Sequence, residues 1–203
     1  MNMGSATVSV TDMNTRPYRM TGRAKDAEAT AERIVDAMLA RLASIPYEHI
    51  RIEDVAADAG VTGQTVIRRF GSKPALMNAT VERELARIVA AREAAAHASP
   101  IETIHDLVVH YERYGALILK TYSEAPLVPG LPEITARGRA FHVDWCRRAF
   151  ALPSLPDREM VRRSAQIVAI CDANTWRILR FDGGLDPGET EIALREMILP
   201  LLA

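Results

Sequence analysis

Apolar residues recur every three or four positions along most of this chain, and that spacing restricts the structures it can form. Side chains three and four residues apart lie on one face of an α-helix, whereas a half-buried strand requires strict alternation. The first stripe stops before Pro46, because the residue preceding a proline is disfavoured in the helical conformation. Its members are Ala31, Ile34, Met38, Leu42 and Ile45. With no hairpin signal and no repeat, the pattern predicts an all-α fold.

Prolines, glycines and capping residues divide the remaining sequence, so that about nine helices are expected in total. A long helix capped by Ser72 should run to about Ala98, with one side formed by Leu76, Ala79, Arg83, Ala86 and Ala90. Ser99-Pro100-Ile101-Glu102 and Asp186-Pro187-Gly188-Glu189 have capping-box spacing, with proline at the first helical position. Residues 161–181 are apolar on most sides, which predicts one helix buried by its own fold or by a partner chain.

The charge balance excludes a protein that coats nucleic acid or an acidic membrane with its whole surface. The 203 residues include 25 Lys and Arg and 26 Asp and Glu, for a net charge of −1, whereas such proteins are strongly basic. Hydrophobic residues make up 48% and charged residues 25% of the chain, the usual mixture in a folded globular protein. Any polyanionic partner must therefore bind to a local patch.

Several absences in the sequence indicate a cytoplasmic protein that does not enter membranes. No apolar stretch approaches the roughly 18 residues that a membrane-spanning helix needs. Residues 1–14 lack the charged and apolar regions of a secretory signal. Cys146 and Cys171 match no metal-binding or redox spacing, so we expect two buried free thiols.

Residues 52–70, IEDVAADAGVTGQTVIRRF, have the pattern of a helix-turn-helix. Two short helices that cross steeply need a small residue at the crossing, a glycine in the turn, and apolar residues that hold the second helix down. Ala56 is the small residue and Gly60 the turn glycine, while Val61 and Val66 face the core together with the neighbouring apolar positions. The motif therefore predicts a DNA-binding unit.

The second helix of this motif begins with short polar side chains and ends in a basic segment. Between Ala59 and Val81 the sequence has three cations, Arg68, Arg69 and Lys73, and no acid, as expected for phosphate contacts. A recognition helix enters the major groove with its N-terminal end. The side chains that reach base edges there are expected to be Thr62, Gln64 and Thr65, and Gly63 allows a close approach of the backbone. Gln64 is favoured because its amide can pair with adenine through two hydrogen bonds.

Three stretches within residues 25–80 resemble the TetR family of bacterial transcriptional regulators: AERIVDA at 31–37, IEDVA at 52–56 and GVTGQTVIRRFGSK at 60–73. The TVIRRFGSK run is close to a variant of actinobacterial members. The resemblance implies a homodimer of all-α subunits that binds double-stranded DNA at a palindromic operator. It also implies that a C-terminal helical domain binds a small effector.

Three positions depart from the family pattern. Ile67 stands where the family usually has a tyrosine that contacts phosphate, so this contact is lost or moves to Arg68 or Arg69. Arg51 replaces the usual Thr or Ser at the start of the preceding helix and can itself reach a phosphate. Pro74 replaces a frequent glutamate and is compatible with the first turn of a helix.

The chain is expected to consist of a tail and two folded regions. Residues 1–24 lack periodicity and predict a flexible tail. Its basic end, Arg16 to Lys25, is either free or an arm that contacts DNA. Residues 25–72 form the predicted DNA-binding domain, and residues 73–203 the effector-binding and dimerisation domain. The last two helices are expected to pair with those of a second chain.

Aromatic side chains mark the predicted effector site in the C-terminal region. Tyr111, Tyr114, Phe141 and Trp145 are either core residues or the walls of a pocket, since aromatic walls suit small-molecule sites. Asp172, inside the apolar 161–181 segment, must be hydrogen-bonded if buried, and both pocket lining and pairing across a dimer interface fit it. With no cluster of Arg or Lys in this region, an uncharged or weakly charged hydrophobic effector is expected.

The sequence offers no signature of a catalytic, cofactor or metal site. The five histidines form no ligand cluster, and no nucleophile triad, phosphate loop or carboxylate pair is present. We therefore expect a ligand-responsive repressor without enzymatic activity and without a cofactor. The alternatives are an activator or ligand-independent regulator of the same fold, and a helical small-molecule-binding protein or enzyme whose DNA-binding motif is vestigial.

Overall fold

The computed structural model describes residues 16–94 and 99–203, and these form nine α-helices and no strand. The all-α prediction is confirmed. The helices are α1 (Arg16–Ser44), α2 (Ile52–Asp58), α3 (Gly63–Phe70), α4 (Lys73–Ala94), α5 (Pro100–Glu124), α6 (Leu131–Ala149), α7 (Asp157–Ile170), α8 (Ala173–Arg177) and α9 (Pro187–Ile198). Within the described ranges, no helix is long and apolar enough to cross a membrane.

Two hydrophobic cores hold these helices together. The first joins α1, α2 and α3 to α4 and to the start of α6, and its fully buried members include Leu42, Val66, Leu76 and Leu131. The second joins α5 to α6, α7, α8 and α9. Because α4 and α6 contribute to the first core, the three N-terminal helices pack against the rest of the chain as well as being covalently connected to it.

Helix α1 differs from prediction at its beginning and agrees with it at its end. It starts at Arg16, so the predicted flexible tail is wrong for residues 16–24, and residues 1–15 lie outside the described part. Pro17 falls in the first turn, where the missing N–H of proline costs no hydrogen bond. The helix ends at Ser44, two residues before Pro46.

The segment 161–181 is not the single helix that its composition predicts. Helix α7 ends at Ile170, and α8 begins at Ala173 after Asp172, whose Oδ1 accepts a 2.8 Å hydrogen bond from the Asn174 backbone N–H. This side-chain cap starts a new helix and so competes with continuation of the old one. Val161 and Phe181 are 70% and 65% exposed in the single subunit, so burial on most sides by the chain's own fold is also wrong.

The predicted caps of α4, α5 and α9 form to different extents. The Ser72 hydroxyl accepts from the Ala75 N–H at 3.2 Å, and Asp186 Oδ1 accepts from the Glu189 N–H at 2.9 Å. Ser99 occupies the N-cap of α5, but its side chain makes no capping hydrogen bond. The buried face of α4 also differs from the predicted one, since Ala86 and Ala90 are exposed. The face that is buried contains Leu76, Met77, Thr80, Val81, Glu84, Ile88 and Arg92.

A glycine in α5 allows Trp176 of α8 to pack against the helix backbone. A Cβ at Gly115 would lie within 2.8 Å of two atoms of the Trp176 ring and closer still to a third. The indole N–H donates to Glu112 Oε1 at 2.8 Å, which fixes the ring in that position. The close approach of α5 and α8 therefore depends on the absence of a side chain at position 115.

Gly115→Ala should destabilise the protein by about 1–3 kcal/mol, because the buried Trp176 ring has to move. Gly138→Ala in α6 is the matched control. A Cβ there meets only Leu85 Cδ1 at 3.5 Å and the Tyr122 hydroxyl at 3.8 Å. The control should be neutral, or more stable by up to about 1 kcal/mol, from helix propensity alone. Urea unfolding of both variants measures the difference, and equal effects would contradict the packing argument.

Candidate nucleic-acid interface and ligand cavity

Helices α2 and α3 form the predicted helix-turn-helix. Gly60 adopts φ +67°, a conformation that side-chain-bearing residues rarely take, and the Val61 N–H donates to the Ala56 carbonyl at 2.9 Å to close the turn. Ala56 is buried at the crossing, and Val66 holds α3 against α2 with no exposed surface. The roles predicted for these residues are confirmed.

The first turn of α3 presents the polar residues that were predicted to face DNA. The Thr62 hydroxyl caps the helix by accepting from the Thr65 N–H at 3.2 Å, and the two hydroxyl oxygens are 3.0 Å apart. Gln64 is exposed. A Cβ at Gly63 would make only ordinary contacts, 3.7 Å to Ile52 Cγ2, so the fold does not require glycine there. Thr62 therefore has a structural role, while the fold imposes no role on Gly63 or Gln64.

The basic residues of this region differ in the hydrogen bonds and ion pairs that they form within the subunit. Arg68 and Arg69 are exposed, and neither forms an ion pair with any residue in the described ranges. The Lys73 ammonium donates to the Glu48 carbonyl at 3.3 Å and lies 4.2 Å from the centre of the Tyr47 ring. Burial lowers the pKa of Lys73, while the nearby charge of Glu48 opposes the shift.

Arg51, the other predicted phosphate contact, has a carboxylate partner. Its Nε lies 3.4 Å from Asp54 Oδ2, and that carboxylate also lies 3.7 Å from Arg41. The Arg51 side chain is exposed, so the pair is weak and can exchange for another anion. Ile67 is 43% exposed and belongs to neither hydrophobic core.

A cavity of about 70 Å³ lies among α1, α4, α5, α6 and the start of α8. Leu39 and Leu42 of α1 contribute to its wall, as do Val81 and Ile88 of α4. Of the five predicted ligand-binding residues, three line this cavity: Tyr111, Phe141 and Asp172. The Tyr111 hydroxyl donates to the Cys171 carbonyl at 2.7 Å, and burial raises its pKa.

The other two predicted residues, Tyr114 and Trp145, line a separate hollow of about 140 Å³. Arg92 lies in the wall of both spaces. Its guanidinium carbon is 4.0 Å from the centre of the Trp145 ring, which is buried beneath it. The structure thus divides the predicted aromatic site into two parts, with a buried arginine between them.

Arg92 is the residue of this site that the sequence pattern missed. It is only 5% exposed, and its Nη1 donates to His142 Nδ1 at 3.2 Å. His142 Nε2 in turn donates to the Val168 carbonyl at 3.1 Å. The sequence gives its helical register, since Arg92 follows Ile88 by four residues and Glu84 by eight, but the tertiary structure decides that this face of α4 is buried.

The two cysteines are free and buried, as predicted. Cys146 lies beside His142, with Sγ 3.7 Å from Nε2. A hydrogen bond from Cys171, together with His142 and the charge of Arg92, lowers the pKa of Cys146 to about 5. The same bond raises the pKa of Cys171. In the described ranges, no group of three or more His, Cys, Asp or Glu residues could hold a metal ion.

Several solved transcriptional regulators have the same fold. No protein-family model matches this sequence, and no curated protein sequence is significantly similar to it. A transcriptional regulator from Rhodococcus sp. Rha1 is 18% identical and superposes with a TM-score of 0.66 over 85% of this chain and 95% of its own. The TetR/AcrR-family regulator from Aquifex aeolicus VF5 is 16% identical, with a TM-score of 0.60 over 82% and 96%.

A third similar structure is NalD from Pseudomonas aeruginosa, described as the secondary repressor of the MexAB-OprM multidrug efflux pump. It is 21% identical, with a TM-score of 0.57 over 88% of this chain and 98% of its own. At these identities the comparisons establish the fold.

Proposed function

We propose that this chain, which has the fold of TetR-family transcriptional regulators, is a dimeric DNA-binding repressor that a small effector releases from its operator. The observation that carries the proposal is the exposed α3, held in place by a buried helix-turn-helix core while two of its arginines have no partner within the described ranges. A helix so presented fits the major groove of duplex DNA. Such a regulator works in the cytoplasm.

The proposed division of labour on α3 follows from geometry and exposure. Gln64, Thr62 and Thr65 occupy the N-terminal turn, which enters the groove first, so they are placed to contact bases. Arg68 and Arg69 lie one turn further on and are placed to contact phosphates, which supply affinity without sequence preference. Lys73 and Arg51 are proposed as additional phosphate contacts, each exchanging an existing partner for the DNA backbone.

A second chain is proposed to cover the apolar surface of the last helices. Ten large hydrophobic residues are exposed in the described ranges, and six of them lie between positions 161 and 199. An even distribution would place fewer there. The six are Val161, Ile178, Phe181, Ile192, Met197 and Leu199. Concentrated exposure of this kind marks interaction surfaces. A two-fold axis through this surface would pair it with the same surface of the second chain, and the dimer would present two copies of α3.

The cavity is proposed as the effector site because its walls connect to the DNA-binding helices. Leu42 belongs both to the cavity wall and to the first core, which also contains Val66 of α3. Helix α4 lines the cavity and begins three residues after α3 ends. At about 70 Å³ the cavity is smaller than the 150 Å³ that accommodates benzene in an engineered site. An organic effector must therefore enlarge it, which favours a state with displaced helices and a changed spacing of the two α3 copies.

Arg69→Ala and Arg68→Ala should weaken binding to DNA of any sequence and reduce the dependence of affinity on salt, since each removes about one phosphate contact. Lys73→Ala should have the same but smaller effect, because its ammonium is already bonded to Glu48. Fluorescence anisotropy with DNA from the promoter region of its own gene, and with random duplex, measures both quantities.

The matched control is Arg158→Ala in α7, which removes an exposed positive charge from outside the three N-terminal helices. It should leave affinity and salt dependence unchanged. Equal losses in this control and in Arg69→Ala would show that only net charge matters, and unchanged salt dependence in Arg69→Ala would remove it from the interface.

Gln64→Ala should reduce the difference in affinity between operator and random DNA by about 1–3 kcal/mol while leaving random binding nearly intact, because a lost base contact affects discrimination. The measurement is competition between labelled operator and unlabelled random duplex. A loss of affinity that is the same for both DNAs would show that Gln64 reads no base.

Ile178→Asp or Met197→Asp should produce monomers that bind the operator weakly, because a carboxylate in an apolar interface is strongly unfavourable. Leu127→Asp is the control, since Leu127 is 59% exposed and lies outside the last helices. Light scattering coupled to size-exclusion chromatography determines the oligomeric state. A monomeric wild-type protein at micromolar concentration would rule out the proposed assembly.

A further inference from the structure

The hydrogen bonds of Arg92 are incomplete on one side of its guanidinium group. Nη1 is bonded to His142, but Nε and Nη2 are buried and have no hydrogen-bond partner among the residues that the structure describes. Those two nitrogens form the side-on edge of the guanidinium, where their N–H groups point in parallel. A carboxylate accepts two parallel hydrogen bonds from such an edge, so the unpaired groups match one specific ligand group.

The neighbours of Arg92 in the described part of the chain include two aromatic rings. Trp145 lies against one face of the guanidinium and Tyr111 is 5.5 Å away, so both neighbours are aromatic rings. No ion pair joins Arg92 to an acidic residue of the described ranges. The charge of Arg92 also helps to lower the pKa of the Cys146 thiol, whose sulfur lies 3.9 Å from His142 Nδ1. Since a buried cation without a bonded anion is costly, a ligand anion would be strongly favoured at this point.

The acidic residues that line the cavity are already occupied. Glu84 Oε1 accepts from Arg83 Nε at 3.0 Å and from Arg87 Nη1 at 2.9 Å, which neutralises that carboxylate. Asp172 Oδ1 caps α8 and also accepts from the Asn174 side chain at 2.7 Å. His110, beside Arg92 in the second hollow, is uncharged, because burial and the charge of Arg92 lower its pKa to about 3. Among the described residues that line the cavity, Arg92 is therefore the cation with unused hydrogen-bond donors.

The remainder of the cavity is suited to an apolar group. Aliphatic and aromatic side chains form most of its wall, including Leu39, Val81, Leu85, Ile88, Leu117, Ile118 and Phe141. Three threonines, Thr80, Thr121 and Thr135, are buried among them. The Thr80 hydroxyl is directed to the Leu76 carbonyl at 2.9 Å and the Thr135 hydroxyl to the Pro132 carbonyl at 3.0 Å. These bonds within the helices occupy two of the three threonine hydroxyls.

From this arrangement we infer that the effector is a monocarboxylate with an apolar body, its carboxylate bound by Nε and Nη2 of Arg92 and its body within the cavity. The inference rests on the proposed function, in which this cavity is the effector site. It replaces the uncharged effector that the sequence predicts. Arg92 is a binding residue in this scheme, and Trp145 holds its guanidinium in place.

The test uses the full-length protein and pairs of acids and amides that have the same shape. The acids are hexanoate, octanoate, decanoate, benzoate and 2-naphthoate, each compared with its primary amide by isothermal titration calorimetry. At least one acid should bind at least tenfold more tightly than its amide, because hydrogen bonds between two charged groups are stronger than those to a neutral one. An absence of binding by every acid, or equal affinity for acid and amide, would overturn the inference.

Two variants of Arg92 and one control test whether Arg92 causes the tighter binding of the acid than of the amide. Arg92→Met should abolish the preference for the acid, and Arg92→Lys should keep only part of it, because an ammonium retains the charge without the paired donors. Arg139→Met is the control, since exposed Arg139 lies beside the same cavity, with its guanidinium carbon 5.0 Å from the Tyr122 ring. It should keep the full preference. If Arg92→Met keeps it too, the inference is wrong. The comparison of acid and amide in the wild-type protein stands even if the Arg92 variants fail to fold.

DNA binding is measured on the same preparations to separate the two proposals. Operator binding without any acid binding would overturn the monocarboxylate inference and leave the regulator proposal standing. Acid binding without operator binding would overturn the regulator proposal and leave the binding of a monocarboxylate in this cavity standing. With both intact, the acid that binds should lower the affinity for operator DNA in the wild-type protein and not in Arg92→Met.

Discussion

The first hydrophobic core is the constraint on which the rest of the structure depends. It contains residues of the helix-turn-helix, such as Val66, and residues of α4 and α6, such as Leu76 and Leu131, all fully buried. Close-packed protein interiors transmit the displacement of one residue to its neighbours, since they cannot deform without loss of contacts. Because Leu42 and Val81 belong both to this core and to the cavity wall, a change in cavity volume and the position of α3 are mechanically linked. That link is the physical basis of the proposed regulation.

Arg92 is an energetically unfavourable group in the wall of the proposed effector site. The Arg92 guanidinium stacks on Trp145, with one nitrogen bonded to His142 and two unpaired. An apolar side chain of the same size at this position would make the folded protein more stable. Binding sites often carry such unfavourable features, which the surrounding packing tolerates. A carboxylate supplies the hydrogen bonds that Arg92 lacks, so the proposed ligand binding would stabilise the folded protein.

The break between α7 and α8 sets the geometry of the second core. Asp172 ends one helix and caps the next, which turns Trp176 toward α5 and places its ring against Gly115. Val161 and Phe181, at the two ends of the 161–181 segment, lie on the surface. Asp172 thus contributes to the internal packing, and it also lines the cavity. Both features depend on the path of the chain at residue 172.

The sequence by itself determined the features that depend on neighbouring residues. Pro46, Gly60 and the spacing of Ala56, Val61 and Val66 specify helix ends, a turn and a helix crossing through backbone conformation and helical period, so the helix-turn-helix was predictable. The tertiary structure alone decided which side of α4 is buried, that Tyr111 and Trp145 face different spaces, and that Arg92 lies between them without an acidic partner. Those outcomes depend on contacts between residues some fifty positions apart, such as Arg92 and His142, and local periodicity carries no information about such contacts.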